Sequence, residues 1–368
     1  AIITTTRYLR YSYYTNSRQS TITNKPMAKK ISIDSFRQPS LFDAFDLVPP
    51  ANQPQMPVHP DIERLARQHA AEKQQMPFGP VVTQPVPNKF VFMSLGSGSS
   101  GNCSYIGDAR SGFLVDAGVD AAKVTEALRA RNIPMSHVKG ICITHDHSDH
   151  MRYVYTLLRH NKHMRLYCTP RALTGMLRRH NVSRRLKDYQ TNIYKEIPFE
   201  IDNFTITAFE VQHDGTDNAG FYIQHDDRAM TIATDLGCIS ARADHYMRQT
   251  DYMVIESNYD LNMLRFGPYP EYLKARIRAC NGHMDNAETA QYLADIHSPR
   301  LKYIFLCHLS QDNNSPEVAL SEVRNALHNR GLTIGSASGT PADMEADVQL
   351  VALPRFDPSP LYTFRPKQ

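Results

Sequence analysis

The sequence predicts a layered α/β domain, and three observations support that fold class. Short apolar runs recur from residue 89 onward, and each ends abruptly at a polar residue. Stretches with helical spacing of apolar residues lie between these runs. The 368 residues and 41% hydrophobic content are enough for one domain of about 250 residues with room for extensions. Strands that alternate with helices are typical of layered α/β proteins.

The individual elements follow from the same patterns. The predicted strands are KFVFMSL, GFLVDAG, GICITHDH, FTITAFEVQH, MTIATD, DYMVIES and LKYIFLCH. The predicted helices cover residues 121–131, 151–161, 171–179, 270–279, 286–296 and 316–330. We therefore expect a catalytic domain over residues 89–335. Residues 336–368 are expected to be a C-terminal tail that wraps around the domain or is partly ordered.

The first 88 residues differ in composition from the rest. Residues 1–26 contain four basic and no acidic residues, so a transit-like leader is conceivable, but the MAKK stretch at Met27 resembles a bacterial start. Residues 1–26 are therefore interpreted as a possible leader or a non-native extension. Residues 27–88 are rich in Pro and Gln, which predicts a flexible, disordered N-terminal linker.

Composition also restricts the setting of the protein. A formal net charge of +4 implies no particular partner. The 6 cysteines include no CxxC pair, which favours reduced thiols in a cytosolic protein over a disulfide framework. The chain has no run of eighteen apolar residues, so we expect no membrane span and a cytoplasmic location.

Six polar residues lie at or just past the carboxyl end of a predicted strand. In layered α/β proteins ligands bind at that edge, because loops converge there while the strands hold them rigid. We therefore expect these side chains to be able to form one site. They are Asp116, His145, His213, Asp235, Glu256 and His308.

The stretch ITHDHSDH is the most specific motif of the chain. His145 and His147 continue the two-residue period of a strand, so both imidazoles can point the same way. Asp149 and His150 then begin the next helix and would bring a second pair of ligands toward a second ion. Imidazole and carboxylate groups are ligands of divalent cations. A charged surface loop is the alternative, but four fixed residues in HxHxDH favour a metal site.

This motif and three later strand ends resemble those of the metallo-β-lactamase-fold hydrolases. The later matching stretches are EVQHDGT, ATDLG and CHLS, which contain His213, Asp235 and His308. The resemblance covers residues 89–332 and implies an αββα four-layer sandwich with two divalent ions at one edge. The implied ligands are His145, His147 and His213 for one ion, Asp149, His150 and His308 for the other, and Asp235 as a bridge.

The implied ligand set has one supporting residue and some alternative interpretations. Asp116 in LVDAG matches a family aspartate and is implied to support the ligand loop by hydrogen bonding. Taken singly, His213 also fits an ordinary strand-end histidine, Asp235 a turn cap and His308 a buried core histidine. Their order behind HxHxDH favours the ligand interpretation. All the donors are nitrogen or oxygen, which suits phosphoryl chemistry with either Zn²⁺ or Mn²⁺.

A basic stretch follows the motif directly. Residues 151–187 contain ten Lys or Arg residues, of which Arg152 is the first, and no Asp or Glu. A field of one sign beside a two-metal site would attract a polyanion, and nucleic acid is the obvious one. The alternative is a solvated basic helix face.

Longer motifs narrow the resemblance. SLGSGSSGNCSYI, ESNYDLNML, GPYPEYLKARI, NGHMDNAETA and CHLSQDNNSPEVA are similar to those of the YycJ/WalJ-like subfamily, which is associated with DNA exonuclease activity. The resemblance implies hydrolysis of DNA phosphodiesters in replication or repair. Ser99, Ser100 and Asn102 lie in a loop that could bind a phosphate oxygen or simply form a tight turn. His283 could donate a proton to the leaving oxygen or hold a structural hydrogen bond, and Asp149 could accept a proton.

The linker carries one further motif. Gln38, Leu41 and Phe42 in QPSLF resemble the short peptide that docks onto bacterial sliding clamps. A segment that folds back onto the domain is the alternative.

Three other functions stay open at this point: an RNA-processing nuclease, a glyoxalase-II-like thioesterase and a non-catalytic nucleic-acid-binding adaptor. A thioesterase gives no reason for ten cations without an acid. An adaptor need not keep all seven ligands.

Overall fold

A computed structural model describes residues 89–364. Two β-sheets pack face to face, and helices cover both outer faces. The predicted αββα four-layer sandwich is therefore confirmed. The predicted leader and linker and the proposed docking residues Gln38, Leu41 and Phe42 lie outside the described residues.

The first sheet has seven strands in the order β15-β1-β2-β3-β4-β5-β6. β1 to β3 are joined as antiparallel neighbours, whereas β3 to β6 are parallel. The strands are β1 (Phe90–Gly96), β2 (Cys103–Gly107), β3 (Gly112–Val115), β4 (Val138–Cys142), β5 (Arg165–Cys168), β6 (Gln190–Asn192) and β15 (Tyr362–Phe364).

The second sheet has eight strands in the order β13-β14-β12-β11-β10-β9-β8-β7. Its central strands β10, β11 and β12 are parallel, so their carboxyl ends share one edge. The strands are β7 (Phe199–Ile201), β8 (Phe204–Glu210), β9 (Ala219–His225), β10 (Arg228–Ala233), β11 (Tyr252–Glu256), β12 (Tyr303–Cys307), β13 (Ile334–Gly335) and β14 (Val348–Ala352).

Ten α-helices connect or cover the strands in the described part of the chain. Two short 3₁₀ helices, Met135–His137 and Arg184–Tyr189, precede β4 and β6. The α-helices are α1 (Ala121–Arg129), α2 (Ser148–Met151), α3 (Val154–His160), α4 (Pro170–Arg179), α5 (Ala241–Met247), α6 (Leu261–Phe266), α7 (Glu271–Ile277), α8 (Asn286–Ile296), α9 (Pro316–His328) and α10 (Pro341–Glu345).

Strand β1 shows how the sequence builds the layers. Successive side chains of a strand point to opposite faces of its sheet. Phe90 and Phe92 accordingly lie in the core between the two sheets, whereas Val91, Met93 and Leu95 pack under the outer helices. Both faces of this strand are buried, which explains its continuous apolar sequence.

Helix α9 shows how the outer layer is fixed. Pro316 occupies its first turn, and the Ser315 side chain accepts a hydrogen bond from the backbone of the third helical residue. Its buried residues Ala319, Val323 and Leu327 recur every four residues and pack on the second sheet. The amphipathic pattern therefore fixes which face of the helix meets the strands.

The segment after residue 335 forms part of both sheets. β14 pairs with β12 in parallel, and β15 pairs with β1 with Phe364 opposite Phe90. The sheets thus extend past the domain boundary drawn at residue 335. β15 is only three residues long, which is too short to reveal a strand through sequence periodicity.

The cysteines correct one expectation. Cys238 and Cys280 form a disulfide, so the interpretation of all six as reduced thiols was wrong for this pair. The two lie 42 residues apart, and only the fold brings their loops together. The four other cysteines are buried and free. Among the described helices, none is long and apolar enough to cross a membrane.

Candidate metal centre

The polar strand ends meet at one edge of the sandwich. Asp116 and His145 follow the parallel strands β3 and β4 of the first sheet. Asp235 and His308 lie just past the parallel strands β10 and β12 of the second sheet, and Glu256 is the last residue of β11. Carboxyl ends of parallel strands share an edge, so this topology collects the side chains expected to form one site.

Three of these residues have a left-handed backbone. The φ angles of Asp116, Asp235 and His308 are 64°, 53° and 54°. Residues other than Gly rarely adopt this conformation, and such residues cluster at functional sites. At each position the chain leaves its strand sharply, which turns the side chain toward the edge of the sheet.

The first group of potential ligands consists of three imidazoles. The ligand atoms of His145, His147 and His213 lie within 4.8 Å of one another. His213 Nδ1 donates to the carbonyl oxygen of Gly282 at 2.9 Å, which leaves its Nε2 for the site. His147 Nε2 lies 3.2 Å from Asp214, which leaves its Nδ1 facing His213. The contacts behind each ring thus fix its orientation.

The second group combines Asp149, His150 and His308, whose ligand atoms also lie within 4.8 Å. His150 Nδ1 lies 2.7 Å from Asp116 Oδ2, so its Nε2 is directed at Asp149 and Asp235. The expected support from Asp116 is thus a contact to His150. Asp116 also accepts hydrogen bonds from the backbone N–H and the hydroxyl of Thr144, in the loop after β4.

Backbone hydrogen bonds from neighbouring loops fix the short helix α2, which carries Asp149 and His150. Ala117 N donates to the His150 carbonyl at 2.7 Å, and Asn102 N donates to the Asp149 carbonyl at 2.8 Å. A Cβ atom at Gly118 would overlap the backbone oxygen of Asp149. Glycine is required there because two backbones approach closely.

Asp235 lies between the two groups. Its Oδ2 is 3.0 Å from His150 Nε2, and its Oδ1 is 3.5 Å from His308 Nε2 and 3.7 Å from His213 Nε2. Burial acts to raise its pKa, but His308 and His150 hold the pKa of this carboxyl well below its ordinary value. Asp235 is therefore a buried carboxylate that reaches members of both groups.

The two groups differ in their electrostatics. Burial lowers the pKa of His145 well below its ordinary value. Burial acts the same way on His150, but Asp235, Asp116 and Asp149 raise its pKa well above the usual range. For His308, Asp235 and neighbouring carboxylates likewise outweigh burial and raise the pKa to about 10. The carboxylates in and around the second group thus attract positive charge into a buried place.

The donors fit a bound metal ion. His145 Nε2 is buried and has no hydrogen-bond partner among the described residues. An unpartnered buried ring nitrogen costs free energy unless something binds it. Neutral imidazole is the form that binds a metal, and His with Asp donors suits Zn²⁺ or Mn²⁺.

Glu256 is fully buried behind the site. Its Oε1 lies 2.8 Å from His283 Nδ1 and 3.0 Å from His308 Nδ1, and its Oε2 accepts from the backbone N–H of Leu236 at 2.7 Å. Its place at a strand end is visible in the sequence, but nothing local indicates these partners. Burial acts to lower the pKa of His283, but Glu256 raises it above its ordinary value.

Comparison with known proteins agrees with this geometry. Residues 112–305 match the family model of the beta-lactamase superfamily domain. The chain is 32% identical over 247 residues to exodeoxyribonuclease YycJ of Bacillus anthracis, which covers 67% of this chain and 92% of that protein. It belongs to the metallo-β-lactamase-fold hydrolases, among YycJ/WalJ-like proteins. The family consists of metal-dependent hydrolases, so the chain is an enzyme, as the sequence motifs predicted.

One further relative of this hydrolase supports the same family, and two solved structures share its fold. Exodeoxyribonuclease WalJ of Streptococcus pneumoniae is 32% identical over 247 residues, 67% of this chain and 91% of its own length. Zn²⁺-bound PqqB from Methylobacterium extorquens has a TM-score of 0.53 at 16% identity and covers 74% of this chain and 99% of its own. YhfI from Bacillus subtilis has a TM-score of 0.50 at 12% identity, covering 75% and 100%. The two solved structures show the fold alone.

The predicted substrate-binding residues of the hydrolase occupy different places. Ser99 and Ser100 are exposed at the tip of their loop, and Arg152 is exposed directly after α2. Asn102 instead is buried, with its Nδ2 at 2.9 Å from His150 Nε2 and 3.4 Å from Asp149 Oδ2. Asn102 therefore contacts the second ligand group, while the two serines face solvent.

The basic stretch of the hydrolase is divided between two edges. All ten cations are exposed. Arg179 Nε lies 3.7 Å from Asp146, which stands inside the HxHxDH motif, and Arg171 donates to the Thr216 carbonyl. Arg165 instead begins β5, which runs parallel to β4, so it lies at the edge opposite the site. The ten cations are close in sequence, but they therefore do not form a single basic surface.

Arg355 is a residue near the site that no sequence motif indicated. Its guanidinium lies 3.4 Å from Ser99 Oγ and contacts the Leu309 carbonyl, next to His308. Its own backbone carbonyl accepts a hydrogen bond from Ser97 N at 3.3 Å. The segment between β14 and β15 thus brings a half-buried cation to the glycine- and serine-rich loop.

Proposed function

We propose that this chain is a two-metal phosphodiesterase that acts as a DNA exonuclease. The observation that carries the proposal is the place of Asp235, whose buried carboxylate lies 3.0 Å from His150 and 3.7 Å from His213, one member of each ligand group. A carboxylate between two all-nitrogen-and-oxygen groups suits a pair of cations that acts on a phosphoryl centre.

In this proposal each ligand keeps the role that the family resemblance implies. Bound cations supply charge neutralisation for the phosphodiester and lower the pKa of the attacking water. Both Zn²⁺ and Mn²⁺ suit the donors. The residues that would hold the first ion are His145, His147 and His213, those for the second are Asp149, His150 and His308, and Asp235 would contact both.

Asp149 is proposed to accept a proton during hydrolysis. Burial acts to raise its pKa, but His150 and His308 lower it to about 2, so it is a carboxylate at neutral pH. It is also less enclosed than His150, His308 and Asp235, because its side chain is 17% exposed. A carboxylate that is ionised and reachable from solvent can take a proton from a water molecule.

His283 is proposed to donate a proton to the leaving oxygen. Its Nδ1 lies 2.8 Å from Glu256, whose carboxylate favours the protonated imidazole. Its side chain is 20% exposed, so it reaches the open side of the site. Glu256 is a positioning residue in this scheme, because it acts through the two histidines it contacts.

DNA is the proposed substrate because of the relatives. The YycJ and WalJ proteins are named exodeoxyribonucleases, and this chain spans 92% and 91% of their lengths. Cations beside the ligand motif, such as Arg179 and Arg152, suit a polyanionic substrate. A role in replication or repair belongs to the same proposal.

Cleavage of end-labelled DNA tests this function. Purified protein loaded with Mn²⁺ or Zn²⁺ would be incubated with single- and double-stranded DNA and with matched RNA. Stepwise release of nucleotides from DNA is expected, and Asp235→Ala should lose both bound metal and hydrolysis. Unchanged metal content and hydrolysis in Asp235→Ala would refute the two-metal assignment.

The same assay, with a glutathione thioester added as a further substrate, separates the rival functions. Cleavage of RNA but not DNA would support an RNA-processing nuclease. Hydrolysis of a glutathione thioester without any nuclease activity would support a thioesterase.

Docking onto a sliding clamp is proposed from the QPSLF stretch alone. The change Leu41→Ala with Phe42→Ala should abolish retention by immobilised clamp, and retention at the wild-type level would refute the docking proposal.

A further inference from the structure

A cluster of exposed apolar side chains borders the metal centre. The described residues include seven exposed large hydrophobic side chains, and four of them lie within residues 261–272. Phe266 is 79% exposed and Tyr272 is 77% exposed. Scattered exposed apolar residues need no explanation, but a local cluster of them marks an interaction surface. The exposure of these two rings excludes a role in the core.

Helix α7 places Tyr272 close to the ligands. Arg276 lies four residues after Tyr272, so both occupy the same helix face about one turn apart. The Arg276 guanidinium is 2.6 Å from Asp214, and the same carboxylate is 3.2 Å from His147 Nε2. The helix is also fixed at its end, because His283 N donates to the carbonyl of its last residue at 2.8 Å. Tyr272 thus stands one helical turn from a contact to the metal ligands.

Helix α6 brings Phe266 to the same border. Lys274 Nζ of α7 donates to the Arg265 carbonyl at 2.8 Å, which ties the end of α6 to α7. The Arg265 guanidinium lies 5.5 Å from the centroid of the Phe266 ring. The loop between the helices is anchored as well, since Tyr269 donates to Asp312 at 2.7 Å.

A second Arg–Phe pair borders this loop. Arg355 Cζ lies 5.8 Å from the Phe356 ring, and Phe356 is also exposed. Burial lowers the pKa of Arg355, while Asp312 and Tyr269 act to raise it. Arg355 also contacts the carbonyl of Leu309, three residues before Asp312, so the pair lies beside the loop between α6 and α7. Arg355 also contacts Ser99. Two exposed rings at this border of the site therefore each have a guanidinium group beside them, Arg265 at Phe266 and Arg355 at Phe356. We call Phe266, Tyr272, Phe356, Arg265 and Arg355 the aromatic border.

We propose that the aromatic border binds unpaired nucleotides of the substrate, with bases stacked on Phe266 and Tyr272. The inference rests on the proposed function and deepens it, because it names the surface that receives unpaired nucleotides of the substrate. Cations that contact phosphates beside rings that stack on bases are the combination used by proteins that bind single strands. Paired bases in a duplex are already stacked and would not engage the rings.

Charge complementarity favours a nucleic acid over a protein here. The exposed side chains of α6 and α7 include Arg265 and Arg276, and the exposed Arg278 directly follows α7, whereas Glu271 is the acid at the start of α7. Positive charge around flat apolar rings matches a polyanion that carries flat bases. An apolar protein segment would gain nothing from these cations.

Binding of two oligonucleotides tests the proposal. The full chain loaded with Mn²⁺ would be titrated, by fluorescence anisotropy, into a labelled thymidine octamer and an abasic octamer, both with phosphorothioate linkages to slow hydrolysis. Phe266→Leu and Tyr272→Leu keep apolar bulk but remove the ring. Each is expected to weaken binding of the thymidine octamer roughly five- to hundredfold and to leave the abasic octamer unaffected.

The controls keep the two proposals separate. Tyr194→Leu changes another exposed tyrosine, between β6 and β7, and should alter neither affinity. Equal weakening for both octamers, or no weakening for either, would overturn the stacking proposal. Failure of the proposed function would appear differently, as an absence of DNA hydrolysis by the wild-type protein, with the affinity difference between the octamers intact.

Discussion

The Nδ1 atom of His308 lies 3.0 Å from the Oε1 atom of Glu256, and both side chains are buried. This contact fixes which nitrogen of His308 faces Asp149 and Asp235. The same carboxylate oxygen lies 2.8 Å from His283. One buried residue therefore orients a proposed metal ligand and a proposed proton donor together.

The change Glu256→Gln is expected to reduce metal binding and hydrolysis together. The amide keeps the size of the side chain but loses the charge that holds both imidazoles. Loss of such a supporting contact weakens metal affinity by about 10- to 100-fold. Metal content by mass spectrometry and the rate of hydrolysis would be measured side by side. Glu322→Gln, an exposed change on α9, is the control, and equal results for both variants would contradict the role of Glu256.

Metal binding is expected to release protons. Without metal, carboxylates raise the pKa of His308 to about 10 and that of His150 well above its usual range, although burial acts the other way. Both rings are then protonated at pH 7, and each must lose a proton to bind a cation. The apparent affinity for Zn²⁺ should rise with pH, by roughly tenfold per pH unit for each proton released.

Calorimetry in buffers of different ionisation enthalpy would count these protons at pH 7. His308→Asn should release one proton fewer than the wild type. Binding without any release of protons would show that the rings are neutral before the metal arrives.

The two ends of the basic stretch are expected to differ in importance. Arg179 lies beside the ligand motif, whereas Arg165 begins a strand at the opposite edge. Arg179→Ala should raise the KM for DNA and reduce the slope of log affinity against log salt by about 1, the loss of one phosphate contact. Arg165→Ala, from the same stretch, should change neither. Equal effects would mean that the substrate spans both edges.

Asp108 is expected to give the fold an acid-sensitive link between the sheets. It follows β2 of the first sheet and accepts from Asn203 at 2.7 Å, in the turn between β7 and β8 of the second. Burial acts to raise its pKa, but hydrogen bonds from His225, Asn203 and two backbone amides hold it well below its ordinary value. Asp108→Asn should cost about 1–3 kcal/mol of unfolding free energy at pH 7.

The pH dependence of this cost has a definite sign. A carboxyl whose pKa is depressed in the folded state stabilises the fold above its unfolded pKa, and this contribution is lost as the pH falls toward the folded value. The difference between wild type and Asp108→Asn in urea unfolding should therefore shrink below about pH 4. A difference that stays constant down to pH 2 would refute the link. Asp188→Asn, at an exposed carboxyl, is the control.

The sequence pattern predicted seven of the fifteen described strands, and it missed β9 although that strand is seven residues long. β1 and the central strands β10, β11 and β12 are mostly apolar and at least five residues long, and α9 repeats its apolar residues at helical spacing. The HxHxDH motif likewise contains its geometry within six residues. β6 and β13 escaped prediction because three and two residues cannot display a period.

The rest of the site depends on contacts between distant residues. Glu256 could be recognised as a strand end, but its partners His283 and His308 are 27 and 52 positions away. Arg355 lies 256 positions from Ser99. Such contacts exist only after the sheets have formed, so no reading of neighbouring residues reveals them.

The pairing of β15 with β1 also has a consequence for biosynthesis. A ribosome delivers β1 early and β15 last, so the edge of the first sheet stays uncovered while the chain between them is made, roughly 15–50 seconds. An open strand edge is a template for pairing with other chains. A nascent polypeptide that stalls before Tyr362 cannot cover that edge. Truncated translation products should therefore aggregate or require a chaperone, although nearly the whole catalytic sequence is present in them.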